Sequence, residues 1–209
     1  MPRTARVTHR GGFYHLYNRS LNKHPVFKNF QDLDYFLKKF AKIVGDGDWT
    51  IYAYCIMPTH YYILIEEKKM PVAKFISRLF TSYGVYYNKK YKRSGPLFSD
   101  RFKSKIIQKD SYFLQVSRYI HLNPVAANLV RNPEYYLYSS LAEYLKKVER
   151  GIIDLDKIPR LLQKNKTSIA SYLEFVKAGR DKNLEEFNPF AGKKEVLGSK
   201  AFTGRKKSR

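Results

Sequence analysis

Histidine and tyrosine are the residues of this chain whose types and spacing could do chemistry. The segment His60-Tyr61-Tyr62-Ile63-Leu64-Ile65 reads as a β-strand, and Phe13 to Arg19 (FYHLYNR) reads as another. Successive strand residues point to opposite sides of a sheet. With Ile63 and Ile65 facing a core, His60, Tyr62 and Leu64 face the other way. With Tyr14 and Leu16 inward, His15, Tyr17 and Arg19 share that second face if the two strands are neighbours. Imidazoles hold metals or move protons, and a phenol can attack phosphorus. A further polar group sits on a helix: Gln115, Tyr119 and Asn123 recur at a spacing of four and form one stripe. Such a stripe either caps a polar site opposite the sheet or is an ordinary solvated helix face.

These side chains need a scaffold, and the pattern supplies one. The apolar positions Phe30, Leu33, Phe36, Leu37, Phe40, Ile43 and Val44 predict a helix ended by Gly45 and Gly47. Trp49 to Met57 and His60 to Glu66 are strands joined around Pro58 as a hairpin, and a second helix runs from about Pro71 to Lys92. Residues 91–101 form a loop with a Gly-Pro breaker, after which Phe102 to Gln108 returns as a strand. A helix over Ser111 to Leu122 stops at Asn123-Pro124, and another spans Ser139 to Arg150. This order predicts an α+β fold of the split βαβ type, ferredoxin-like or RRM-like. Its antiparallel sheet would have four to five strands, with helices on one face and the other face free to bind. We expect one domain over residues 1–150. Residues 151–209 read as a small helical appendage, with a helix at Ser168 to Ala178 and a basic tail.

Charge narrows the partner. Forty Lys and Arg against 18 Asp and Glu give a net charge of +22, which calls for a polyanion. No apolar window of about 18 residues reads as a membrane span, so no membrane partner is expected. Cys55 is the single cysteine and lies in an apolar run, which suits packing and a reducing, cytoplasmic compartment. The 18 Tyr and 14 Phe are interleaved with the basic residues. Bases stack on such rings while cations track phosphates; the alternative is that the rings belong to strands and core. Arg19, Lys89, Lys90, Arg93, Arg101, Lys103 and Lys105 are the candidate phosphate contacts, unless they merely solvate the surface.

Several segments together resemble the REP-associated tyrosine transposases, members of the HUH single-tyrosine transposase family of insertion sequences. They are FYHLYNRS at 13–20, YCIMPTHYYILIEE at 54–67, LFSDRFKSKII at 97–107, RYIHLNPVAANLV at 118–130 and YYLYSSLAEY at 135–144. In that family a strand carries His, a hydrophobic residue and a second His, which hold a divalent metal, and a helix before Asn-Pro supplies the nucleophile. The resemblance implies that His60 is a metal ligand, that Tyr119 is the catalytic nucleophile and that Asn123 is a candidate third ligand. It also implies Mg²⁺ or Mn²⁺ as cofactor, hairpin-forming single-stranded DNA as substrate, and a possible homodimer. Arg118 and His121, adjacent in sequence, are basic groups that could lower the phenol's pKa if they share its helix face.

One departure stands out: the second histidine of the motif is Tyr62. A neutral phenol is a poor ligand for a divalent metal, so weak binding is expected. His15 could substitute from the neighbouring strand; Asn123 and waters could suffice for Mg²⁺; or the site has decayed and DNA binding alone survives. The readings are therefore a metal-dependent DNA strand transferase, a catalytically impaired hairpin-DNA binder, or an RRM-like RNA-binding module. Against the last, no RNP-type run is present.

Overall fold

A computed structural model describes residues 11–21, 24–98, 100–108, 111–153, 168–180, 187–190 and 196–197. The basic tail and the first ten residues read from the sequence lie outside the described residues. In chain order the elements are β1 (Phe13–Arg19), α1 (Phe30–Val44), β2 (Trp49–Met57), β3 (His60–Glu67), α2 (Val72–Lys90), β4 (Lys103–Ile107), α3 (Ser111–Ala126), α4 (Ser140–Tyr144), α5 (Ile169–Lys177) and β5 (Val196–Leu197). They form the expected α+β fold around a five-stranded sheet in the order β2-β3-β1-β4-β5. Strands β1 to β4 pair antiparallel, and the short β5 joins β4 in parallel.

α1 and α2 cover one face. α1 begins where the Asn29 side chain accepts the Asp32 amide, and its stripe Leu33, Phe36, Leu37, Phe40 and Ile43 is buried. Those residues meet Tyr14, Leu16, Tyr54, Tyr61, Ile63 and Ile65 from the strands, together with Phe75, Leu79 and Tyr83 of α2.

The second face is not bare. Phe113, Val116 and Ile120 of α3 pack on Tyr17, Ala53, Cys55, Tyr62 and Leu64 in a separate core. Spaced by three and four, these apolar residues are a helical stripe beside the polar one, and the aromatic sheet gives that stripe a surface to bury against. The helix also runs past its predicted stop and carries Pro124 inside it. Asn123 Nδ2 donates to the Tyr119 carbonyl at 2.7 Å, one side-chain bond in the turn where proline cannot donate. Leu129 N donates to Pro124 O, Asn128 N donates to Val125 O, and Asn128 takes a positive φ of 55°, a Schellman ending about one turn later than the sequence suggests.

α4 is shorter than the helix expected over Ser139 to Arg150. Lys146 turns with φ 53°, and the chain folds back so that the Glu143 carboxylate accepts the Tyr54 hydroxyl and the Ile152 amide. Satisfying this buried acid wins over helix propensity.

The described C-terminal pieces join the main core. Tyr172 of α5 donates to Ser117 Oγ, and its hydroxyl lies 2.8 Å from His121 Nδ1; His121 Nε2 lies 2.7 Å from Ser140 Oγ. Burial holds this imidazole neutral, lowering its pKa from 6.5 to about 3. Below pH 6.5 the unfolded chain takes up a proton that the folded chain refuses. The stability contribution is thus complete above that pH and falls by about 1.4 kcal/mol per pH unit as the pH drops towards 3. Thermal unfolding at pH 7 and pH 5 should show a drop in Tm on acidification, and His121→Gln should make that drop smaller.

Candidate active site

The register fixes which side chains meet. Tyr17 pairs with Tyr62 and with Lys103, Arg19 pairs with His60, and His15 pairs with Leu64 and with Lys105. Directly paired residues point to the same side of a sheet. His15, Tyr17, Arg19, His60 and Tyr62 therefore share one face, as strand alternation predicts, and α3 brings Tyr119 over it.

Tyr62 stands between the other groups. Its hydroxyl lies 3.4 Å from the Tyr119 hydroxyl, its ring centroid lies 5.3 Å from His60 and 5.6 Å from Tyr119, and His15 stands 5.6 Å from Tyr62 and 6.3 Å from Tyr119. Tyr119 is half-buried rather than lost in the core. Burial first, and the neighbouring Tyr119 phenol second, push the Tyr62 pKa far above that of a free phenol. Tyr62 is a neutral hydroxyl at any ordinary pH.

His60 is held neutral by burial and by the Arg19 charge, its pKa lowered to about 4. Thr59 Oγ1 lies 2.8 Å from its Nδ1, which leaves Nε2 as the nitrogen able to bind a metal. His15 is fully buried, its pKa lowered to about 3 by desolvation and by the Lys105 charge. Among the described residues neither His15 ring nitrogen has a hydrogen-bond partner. Asn123 spends its Nδ2 on the Tyr119 carbonyl. Among the described residues no group of three His, Cys, Asp or Glu could enclose a metal. This donor set of one accessible imidazole, one buried imidazole with free nitrogens and an amide oxygen fits a weakly held, largely hydrated divalent ion.

Substituting Tyr62→His is expected to tighten Mn²⁺ binding by about tenfold or more, since an imidazole replaces a neutral phenol. Titration calorimetry with Mn²⁺ would measure this; an unchanged affinity would exclude position 62 from the metal site.

The candidate cations divide in space. Arg19 and Lys103 lie at the end of the sheet beside His60 and Tyr17. Lys105 is buried, 3% exposed, beside His15, so it charges the interior of the site rather than the surface. Lys90 is on the α1–α2 side, bound to Asp32 at 2.6 Å, with exposed Lys89 nearby on α2 and Arg93 donating to the Pro96 carbonyl. Arg101 is exposed in the loop before β4. Neither Arg118 nor His121 faces the phenol: Arg118 donates to Gln115 and stacks on Phe175 at 4.4 Å, and His121 is buried against Ser140 and Tyr172.

Phe190 belongs to the site although nothing in the sequence singles it out. Its ring lies 5.1 Å from Tyr17, 6.0 Å from Tyr62 and 6.4 Å from His60, and the Arg19 guanidinium lies 4.2 Å above it. A contact across so much chain leaves no local signal.

The family described as transposase, IS200-like, matches residues 10–123, more than half of the chain. The chain belongs to this family. The matched span includes His15, Tyr17, Arg19, His60, Tyr62, Tyr119 and Asn123 but not Phe190. The fold is similar to that of a solved REP-associated tyrosine transposase bound to a REP hairpin, at 18% identity, covering 75% of this chain and 90% of that one with a TM-score of 0.56. A second solved structure, a candidate transposase of Deinococcus radiodurans R1, matches at 15% identity over 57% of this chain and 95% of its own, with a TM-score of 0.40. No curated protein matches the chain. Among the described residues no helix is long and apolar enough to cross a membrane.

Proposed function

We propose that this transposase-family protein binds single-stranded DNA beside a hairpin and cuts and rejoins it through a covalent link to Tyr119. The observation that carries the reading is the Tyr119 hydroxyl, 3.4 Å from Tyr62 on the face that also holds His60 and His15. The REP hairpin on the related solved structure supports hairpin DNA as the partner, and a charge of +22 suits a strand of phosphates.

Tyr119 Oη attacks phosphorus, forming a 5′-phosphotyrosine ester as the bond from phosphorus to the 3′ oxygen breaks. The leaving 3′ oxygen takes up a proton, and the phenol gives one up. Attack by a 3′-OH on the phosphotyrosine reverses the step, so the strand is rejoined without hydrolysis. The Tyr62 hydroxyl is placed to donate to the phenol oxygen as it loses its proton. Arg19 and Lys103 hold the flanking phosphates, and Lys105 adds positive charge beside His15. His60, with Asn123 or His15, would hold a Mg²⁺ or Mn²⁺ ion; a bound ion of this kind neutralises charge on the scissile phosphate and the leaving oxygen.

Incubation with hairpin-bearing single-stranded DNA and Mn²⁺ tests this reading, with the expected result a covalent protein–DNA band on a denaturing gel. The neutral Tyr62 at a metal position favours a second reading, a hairpin-DNA binder with impaired chemistry. That reading predicts a shifted native band and no covalent one.

A further inference from the structure

Across the sheet from the phenol pair lies a cavity of about 560 Å³ between α2 and the loop leading to β4. Its aromatic wall is made by the half-buried Phe80 and Phe98, backed by the buried Tyr61: Tyr61 stacks on Phe80 at 4.5 Å, and Phe98 stands edge-on to both at 5.8 and 5.2 Å. Arg101 and Asp100 also line it, and both residues are exposed. Gly84 of α2 lines it too, and a Cβ built there meets nothing within 4 Å.

The cavity sits at the same end of the sheet as the phenols. Asn18 and Tyr61 line it and pair with each other, while their neighbours Arg19, His60, Tyr17 and Tyr62 project from the opposite face. A strand rounding the ends of β1 and β4 past Arg101 and Lys103 passes from one face to the other in a short span.

We propose that this slot takes a single unstacked base of the bound DNA strand. The inference rests on the DNA-binding reading above. The volume lies in the usual range for small-ligand pockets, about 300–1,000 Å³, which suits one base rather than a stacked run. Apolar aromatic walls suit the faces of any base. The Arg101 guanidinium at the rim suits the phosphate that must stay in water. Asp100 offers an acceptor for a base amino group, which a purely cationic groove would lack. A protein of net charge +22 bound to a polyanion has this occupant already tethered beside the opening.

Gly84 provides the test. Gly84→Leu projects a side chain into the slot, while Gly84→Ala leaves it open; both remove a glycine from a helix interior, which should help folding rather than harm it. Affinities would be measured by fluorescence anisotropy for hairpin DNA with a single-stranded flank, and for the same DNA with that flank abasic throughout. For the native chain and Gly84→Ala, loss of the bases should weaken binding by roughly tenfold or more, since base stacking carries that order of energy. For Gly84→Leu, most of that difference should vanish, with binding of the abasic DNA unchanged. If Gly84→Leu keeps the full preference for bases, the slot proposal is wrong and DNA binding stands. If the native chain binds neither DNA, both readings fall.

Discussion

Replacing Tyr119 with phenylalanine is expected to remove the covalent DNA band, a loss on the order of 10³-fold or more, while hairpin DNA is still bound. The substitution removes one oxygen, which lies 3.4 Å from the Tyr62 hydroxyl, beyond the ordinary range of a strong bond. The fold should be almost unaffected, since α3 is held by Phe113, Val116 and Ile120 rather than by this phenol. The informative alternative is that Tyr62 takes over as nucleophile. Its burial and strongly raised pKa argue against that, because the phenolate it would need is the form that burial disfavours. Peptide mapping of the adduct in the native chain decides the matter: attachment at Tyr119 supports the assignment, and attachment at Tyr62 overturns it.

Asp32→Ala should lower stability by about 3 kcal/mol, read as a shift in the urea midpoint. Asp32 has a fully buried side chain at the first turn of α1. Its carboxylate accepts the Lys28 amide at 2.9 Å, the Tyr91 hydroxyl at 2.7 Å, the Tyr86 hydroxyl at 3.1 Å and the Lys90 ammonium at 2.6 Å. Burial alone would raise its pKa, but these donors together hold it below the usual carboxylate range. Removing the acid strands donors from the chain before α1 and from the end of α2. Lys90→Met should cost much less, because the ammonium is exposed and the other donors remain. DNA binding at the far face should survive both changes in the folded fraction.

The site was legible wherever a short period governed it. Alternation along β1 and β3 assigned His15, Tyr17, His60 and Tyr62 to one face, and strand pairing made them neighbours without further assumptions. The polar stripe of α3 was visible too, but the apolar stripe of Phe113, Val116 and Ile120 beside it carried the decisive message that this helix packs on the sheet. Lys105 misled because a lysine in a strand reads as solvent-facing; its burial on β4, between β1 and β5, is a property of the assembled sheet. Pro124 misled for a related reason, since the stop signal is local while the helix is completed by tertiary contacts. Phe190 could not be found from sequence, because its neighbours Tyr17, Tyr62 and Arg19 lie far away along the chain.

The roof that α3 lays over the sheet has an implication for strandedness. Tyr62 is almost wholly screened by that helix, and Phe190 with Arg19 narrows the remaining approach. A rigid double helix presents its phosphates on a wide cylinder that would not reach so recessed a pair of hydroxyls, whereas a lone flexible strand would approach Tyr119 from the partly open edge of the roof. Under the proposed chemistry, selection against intact duplex would be a matter of clearance, imposed by packing before any base is read.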